Sequence, residues 1–120
     1  MFRFEKLDVW QEAVSLSTLV YRVSRSFPDD ERFGLTSQIR RSSVSVAANI
    51  AEGSGRSSDK DFNRFVEIAF GSLMETVSHL KVAHSQSFLT TDAHNELYTH
   101  CERLGKMLNA LRNRLRSTTP

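Results

Sequence analysis

An all-α fold, an antiparallel up-down-up-down bundle of four helices in a single domain, is what this chain predicts, and three observations carry that expectation. Apolar residues recur at steps of three and four over long stretches, the spacing that lines one side of an α-helix. Breakers are scarce: the 120 residues hold five glycines and two prolines, and with Pro120 terminal only Pro28 interrupts the body. The punctuation that does occur falls between the periodic stretches, at Phe27-Pro28-Asp29-Asp30, at Gly53 to Ser58 and at Thr90-Thr91-Asp92. At 39% hydrophobic and 25% charged residues, the chain has material for one core. It is too short for two of ordinary size.

The helices are expected at about residues 8–26, 32–52, 58–88 and 91–116 of one domain spanning 1–120. The first carries two adjacent apolar stripes, Leu7, Trp10, Val14 and Tyr21 on one and Val9, Ala13, Leu16, Val20, Val23 and Phe27 on the other. A helix with one neighbouring core shows a narrower face, so the second stripe is expected to meet another subunit. Asp8 is positioned to cap the start, and Phe27-Pro28 stops the helix because proline lacks an N–H and restricts the residue before it. In the second helix Leu35, Ile39, Val46 and Ile50 form the stripe, and Gly53 falls where a left-handed cap is wanted. The third opens on Ser58 with Asp61 three residues on, in the manner of a capping box. Its stripe runs Phe62, Phe65, Val66, Ala69, Leu73, Val77, Leu80 and Ala83, interrupted by Gly71, whose cost of about 1 kcal/mol the close approach of another helix would offset. The fourth carries Leu97, Cys101, Leu104, Leu108, Leu111 and Leu115 at alternating steps of four and three, the seam of a bundle.

Charge is uneven along the chain. Residues 1–100 hold 11 basic and 13 acidic groups, whereas 101–120 hold five basic and one acidic, so the net charge of +2 conceals a basic end. Arg103, Lys106, Arg112, Arg114 and Arg116 there are suited to phosphate, because guanidinium groups pair with its oxygens and displace counterions. The plainer reading is a solvated helix end that complements the helix dipole.

Several chemistries are disfavoured. The lone Cys101 has no disulfide partner and fits no zinc spacing; on the seam it reads as a small buried hydrophobe, and a reducing cytoplasm suits it. No apolar run has the length of a signal peptide or a membrane span. Gly53-Ser54-Gly55-Arg56-Ser57 lacks the lysine of a phosphate-binding loop and reads as a connector. Glu75 with His79 and Glu96 with His100 stand at i, i+4, whereas di-iron bundles use i, i+3 pairs with further inward glutamates. No metal, cofactor or catalytic triad is expected, and the chain is read as non-enzymatic.

The second helix has the most unusual polar pattern. Gln38, Arg41, Ser45, Asn49 and Glu52 recur at steps of three, four, four and three, with Arg40 beside them and Arg56 one turn beyond. A solvated face would favour better helix formers than Ser, Asn and Gln. A hydrogen-bonded network of Gln38, Ser45, Asn49 and Glu52 between helices or subunits explains the choice.

These residues carry a resemblance. Gly34-Leu35-Thr36-Ser37-Gln38-Ile39-Arg40-Arg41, Ser45-Val46, Asn49-Ile50-Ala51-Glu52-Gly53 and Gly55-Arg56 resemble the signature of the four-helix-bundle proteins encoded in intervening sequences of bacterial 23S rRNA genes. Leu7 to Gln11, Phe27-Pro28, Phe62, Arg64-Phe65 and Ile68 to Glu75 agree with it, and Val46 stands where the family more often has isoleucine. The resemblance implies a cytoplasmic homopentameric ring. More distantly, it extends to the accessory variability determinant of diversity-generating retroelements, a basic pentameric barrel that binds nucleic acid and a reverse transcriptase. RNA or DNA is thus the expected partner, through Arg40, Arg41, Arg56, Arg112, Arg114 and Arg116 gathered on the ring. The alternative is a protein-interaction scaffold whose ring docks a protein partner such as a nucleic-acid enzyme.

Overall fold

The computed structural model describes residues 1–117, and they form four long α-helices: α1 (Asp8–Ser24), α2 (Leu35–Ser54), α3 (Asp59–Ser85) and α4 (Thr91–Ser117). Short 3-10 turns at Arg3–Lys6 and Asp29–Glu31 complete the order. Every expected helix is present. α1 stops two residues early, ahead of the turn that Pro28 introduces. α2 begins three residues later than expected, because Asp29–Glu31 already forms its own 3-10 turn.

The ends follow local chemistry. Ser58 Oγ accepts from the N–H of Asp61 at 3.1 Å, the cap its position predicts, and Thr90 Oγ1 accepts from Ala93 N at 3.1 Å. Asp8, by contrast, is the first helical residue and caps nothing; Leu7 holds the cap position without a side-chain bond. α3 ends at Ser85 because Ser87 adopts φ 64°, a left-handed conformation. Its N–H donates to His84 O at 3.0 Å and that of Phe88 to Ala83 O at 2.9 Å, the paired bonds that close a helix with a left-handed residue. Phe88 then packs on Phe27, with ring centres 6.0 Å apart.

Each helix gives its stripe to one core. Leu16, Ile39, Val46, Ile50, Leu73, Leu80, Leu97, Leu104 and Leu108 are fully buried, and the α4 seam is closed from Leu97 to Leu115. Neighbouring helices are tied by cross-pairs: Ser17 with Ser43, Ser24 with Arg40, Ser42 with Thr76, Ser45 with Ser72, Glu67 with Arg116, and Glu12 with Arg103. Among the described residues, no helix is long and apolar enough to cross a membrane.

Two sequence expectations are corrected here. The stripe of α1 assigned to another subunit is the one that this chain's own core covers: Val9, Ala13, Leu16, Val20 and Phe27 are buried and Val23 half-buried, with Leu19 beside them. Val14 and Tyr21, from the other stripe, are the exposed pair. Gly53, expected as a left-handed cap, lies inside α2, and no glycine among the described residues has positive φ. Its missing side chain serves packing: a Cβ there would sit 2.7 Å from Phe65 Cβ and 2.9 Å from Phe62 Cδ1. Gly71 shows the converse, since a Cβ at that position meets nothing within 4 Å among the described residues.

Candidate functional site

α2 holds most of the residues singled out by sequence, and its two sides treat them differently. Toward α3, small hydroxyl residues let the backbones approach and then bond across the gap. Ser42 Oγ and Thr76 Oγ1 lie 2.8 Å apart, both buried, and each also donates or shares with a backbone carbonyl, Ile39 O at 3.2 Å and Ser72 O at 2.9 Å. One turn on, Ser45 Oγ meets Ser72 Oγ at 2.8 Å, and Asn49 Nδ2 donates to Ser45 O at 2.8 Å and to Ser45 Oγ at 3.0 Å. Ser45 therefore bonds across to α3, while Asn49 bonds back to Ser45 on its own helix. Gln38 and Glu52 stand outside these bonds: Gln38 is exposed, and Glu52 accepts from Arg56 Nη2 at 3.1 Å on the surface. The hydroxyl partners Ser42, Ser43, Ser17 and Thr76 escaped the sequence reading. A hydroxyl residue at these positions looks the same whether it faces water or a neighbouring helix, and only the docking of α1 and α3 on α2 decides.

Toward α1, the same helix borders an open groove. Val14, Tyr21, Val44 and Ala47 line it, and Val14, Tyr21 and Val44 are exposed. The groove leads into a second cleft of about 460 Å³ at the start of α2, lined by Tyr21, Arg32, Phe33, Arg40, Arg41 and Val44 among others. Arg40 is held there, with Nε donating to Ser24 Oγ at 2.8 Å and the guanidinium carbon 4.7 Å from the Tyr21 ring centre. Arg32 lies over Phe33, 5.2 Å from its ring centre. Arg41 is exposed.

The six arginines assigned to nucleic acid do not form one patch on a single chain. Arg40 and Arg41 lie in the first half of α2, and 16 positions separate Arg40 from Arg56, which at about 1.5 Å per residue is roughly 24 Å. Arg56, Arg112, Arg114 and Arg116 lie toward the other end, and most are already engaged. Arg56 pairs with Glu52 and lies 4.5 Å from the Phe65 ring centre; Arg116 pairs with Glu67 at 2.7 Å; Arg112 bonds Asn109 and lies over Phe70 at 4.8 Å. Arg114 is exposed. Arg25, Arg32, Arg40 and Arg41, like Arg112 and Arg114, have no carboxylate within 4.0 Å among the described residues. Arg25 and Arg32 were overlooked because they fall outside the helical stripes, at the end of one helix and in a turn.

The histidines and the cysteine are placed by packing. His79 lies 3.3 Å from Glu75, but Glu96 pairs with Arg22 at 2.9 Å, and His100 is 3.3 Å from Glu12 instead of joining Glu96. No group of three or more metal-ligating side chains occurs among the described residues. Cys101 is buried on the α4 seam, where desolvation raises its thiol from the ordinary 9.0 to about 12.

The fold is shared with a crystal structure of a protein of unknown function from the S23 ribosomal protein family of Bacteroides thetaiotaomicron. The TM-score is 0.80 at 21% identity, over 87% of this chain and 97% of that one. No curated protein matches the sequence. The model of the 23S rRNA-intervening sequence protein family matches residues 5–110, and the chain belongs to that family.

Proposed function

We propose that this protein is a non-enzymatic, cytoplasmic, oligomeric bundle of antiparallel up-down-up-down topology that binds RNA or DNA through basic residues repeated around its assembly. The observation that carries the reading is the presence of two unlike apolar surfaces on one chain. One is the groove between α1 and α2 at Val14, Val44 and Ala47; the other is the outer face of α3, where Ile68, Met74 and Val82 are exposed beside Gly71. A ridge with a bare glycine suits close approach, and a groove suits a ridge. Contacts between unlike surfaces run head to tail and close into a ring when the rotation permits. Five copies is the number the family resemblance implies.

Repetition matters for charge. Arg41 and Arg114 are exposed, and Arg25, Arg32 and Arg40 have no carboxylate partner among the described residues; copied around a ring, they build a field that one subunit lacks. Backbone phosphate is the natural counterpart. No residue is given a catalytic role: the one thiol is buried and stays protonated at neutral pH.

Light scattering tests the assembly. The expected mass is five times the 13.7 kDa of the chain, and Val44→Glu and Val82→Glu each reduce it while circular dichroism retains the helical signal. A monomer at micromolar concentration overturns the ring. Binding to RNA or DNA is expected at low salt and should fall steeply as salt is added. An assembled protein that binds neither favours the scaffold reading, in which the ring docks a protein partner.

A further inference from the structure

We propose that the cleft between the end of α1 and the start of α2 binds single-stranded nucleic acid, with Phe33 as a stacking platform for a base and Arg32, Arg40 and Arg41 as contacts for the flanking phosphates. This rests on the nucleic-acid reading above and narrows it to one place and one class of strand.

Phe33 is 88% exposed, on the turn that leads into α2. Arg32 lies over one face of the ring, 5.2 Å from its centre, and the rest of the side chain stays open to a base. Across the cleft, Tyr21 is a second exposed ring, and Arg40 is fixed over it at 4.7 Å. Aromatic rings interleaved with guanidinium groups match a single strand, which offers base faces and phosphates together. A duplex buries its base faces in its own stack and presents phosphate alone.

The charge balance fits a phosphate chain. Four arginines, Arg25, Arg32, Arg40 and Arg41, line this cleft and the adjoining one, and no carboxylate approaches any of them within 4.0 Å among the described residues. The nearby acids are Asp29, which lines the adjoining cleft, Asp30, and Glu31, whose Oε1 is turned to Leu35 N at 3.0 Å. Arg40 is also pre-positioned by Ser24. A phosphate contact there costs less side-chain ordering than one from a free arginine.

Fluorescence anisotropy with the full chain tests the site, using labelled oligouridylate, labelled oligothymidylate and a duplex of mixed sequence. Phe33→Ala should weaken single-strand binding about 5- to 100-fold, Phe33→Tyr should retain it, and duplex affinity should not change. Arg41→Ala should lower the salt slope for single strands by about 0.7. Preference for either single strand over the duplex sustains the proposal. Wild-type affinity in Phe33→Ala, or a duplex that competes as well as a single strand, overturns this site while leaving general nucleic-acid binding intact. If none of the three probes binds the wild type at low salt, the broader reading falls with it. Phe33→Ala has an exposed side chain to lose, so the fold should persist; a change in its light-scattering mass would assign Phe33 to a subunit contact and also overturn the site.

Discussion

The two flanks of α2 meet very different surroundings. Against α3 it is sealed: Gly53 admits Phe62 and Phe65, and the hydroxyls of Ser42 and Ser45 are matched by those of Thr76 and Ser72. Along its border with α1 the helix keeps a groove, with Val14, Tyr21 and Val44 exposed and an arginine-lined cleft at one end. Small residues occur on both flanks with opposite results. On the sealed side they bring two backbones together. On the open side Ser43 still bonds Ser17, but Ala47 leaves a hollow that no described residue fills. A small residue therefore marks a close approach only when a partner of the right shape lies opposite.

The contrast is broken most severely at Gly53. Gly53→Ala places a methyl group against Phe65 Cβ and Phe62, which a flexible side-chain end cannot relieve. The expected loss is about 3 kcal/mol in urea unfolding. Gly71→Ala is the control: it meets nothing within 4 Å among the described residues, and better helix propensity should raise the stability of the isolated subunit by about 1 kcal/mol. Equal effects at the two glycines would remove the distinction between sealed and open surfaces.

The sealed interior also sets a pH dependence. The Cys101 thiol is raised from 9.0 to about 12, so the unfolded chain loses its proton first as the solution becomes alkaline. The stability tied to the neutral buried thiol is complete below about pH 9 and is lost as pH rises from there toward 12, by about 1.4 kcal/mol for each pH unit. Between pH 9 and 11, the free energy of unfolding of the wild type should therefore decline more steeply than that of Cys101→Ala. Parallel curves would mean that the thiol is accessible to solvent.

The smallest effect tests the hydroxyl pairs. Ser42→Ala and Thr76→Val should each cost about 1 kcal/mol, because each surviving hydroxyl keeps a backbone carbonyl partner. A double-mutant cycle should give a coupling of about 0.5–1 kcal/mol. Zero coupling would show that the pair lies near without interacting.

Much of the sealed side was legible in the sequence, because periodicity at 3.6 residues is a local signal. The stripes of α2, α3 and α4 and the cap at Ser58 follow from it directly. What local pattern cannot supply is which of two neighbouring stripes faces inward, and that is where α1 was misassigned. Val9, Leu16 and Val20 differ from Val14 and Tyr21 only in what the other helices bring to them. The arginines divide in the same way. Glu52 and Arg56, one turn apart, announce their own pairing, whereas Glu67 and Arg116 lie 49 residues apart and meet only after folding. Gly53 has an equally plain reason: a glycine near a helix end has the same sequence signature as a cap or as a contact point.

Ser87 carries a consequence for engineering. A residue with a side chain occupies the left-handed position between α3 and α4, held there by two backbone bonds and by the seating of Phe88 on Phe27. Its own preference works against the reversal of the chain. The bend thus contains unused tolerance: a designer can place glycine there and gain thermal headroom without altering the core, close to the arginine-lined clefts that Phe27 borders.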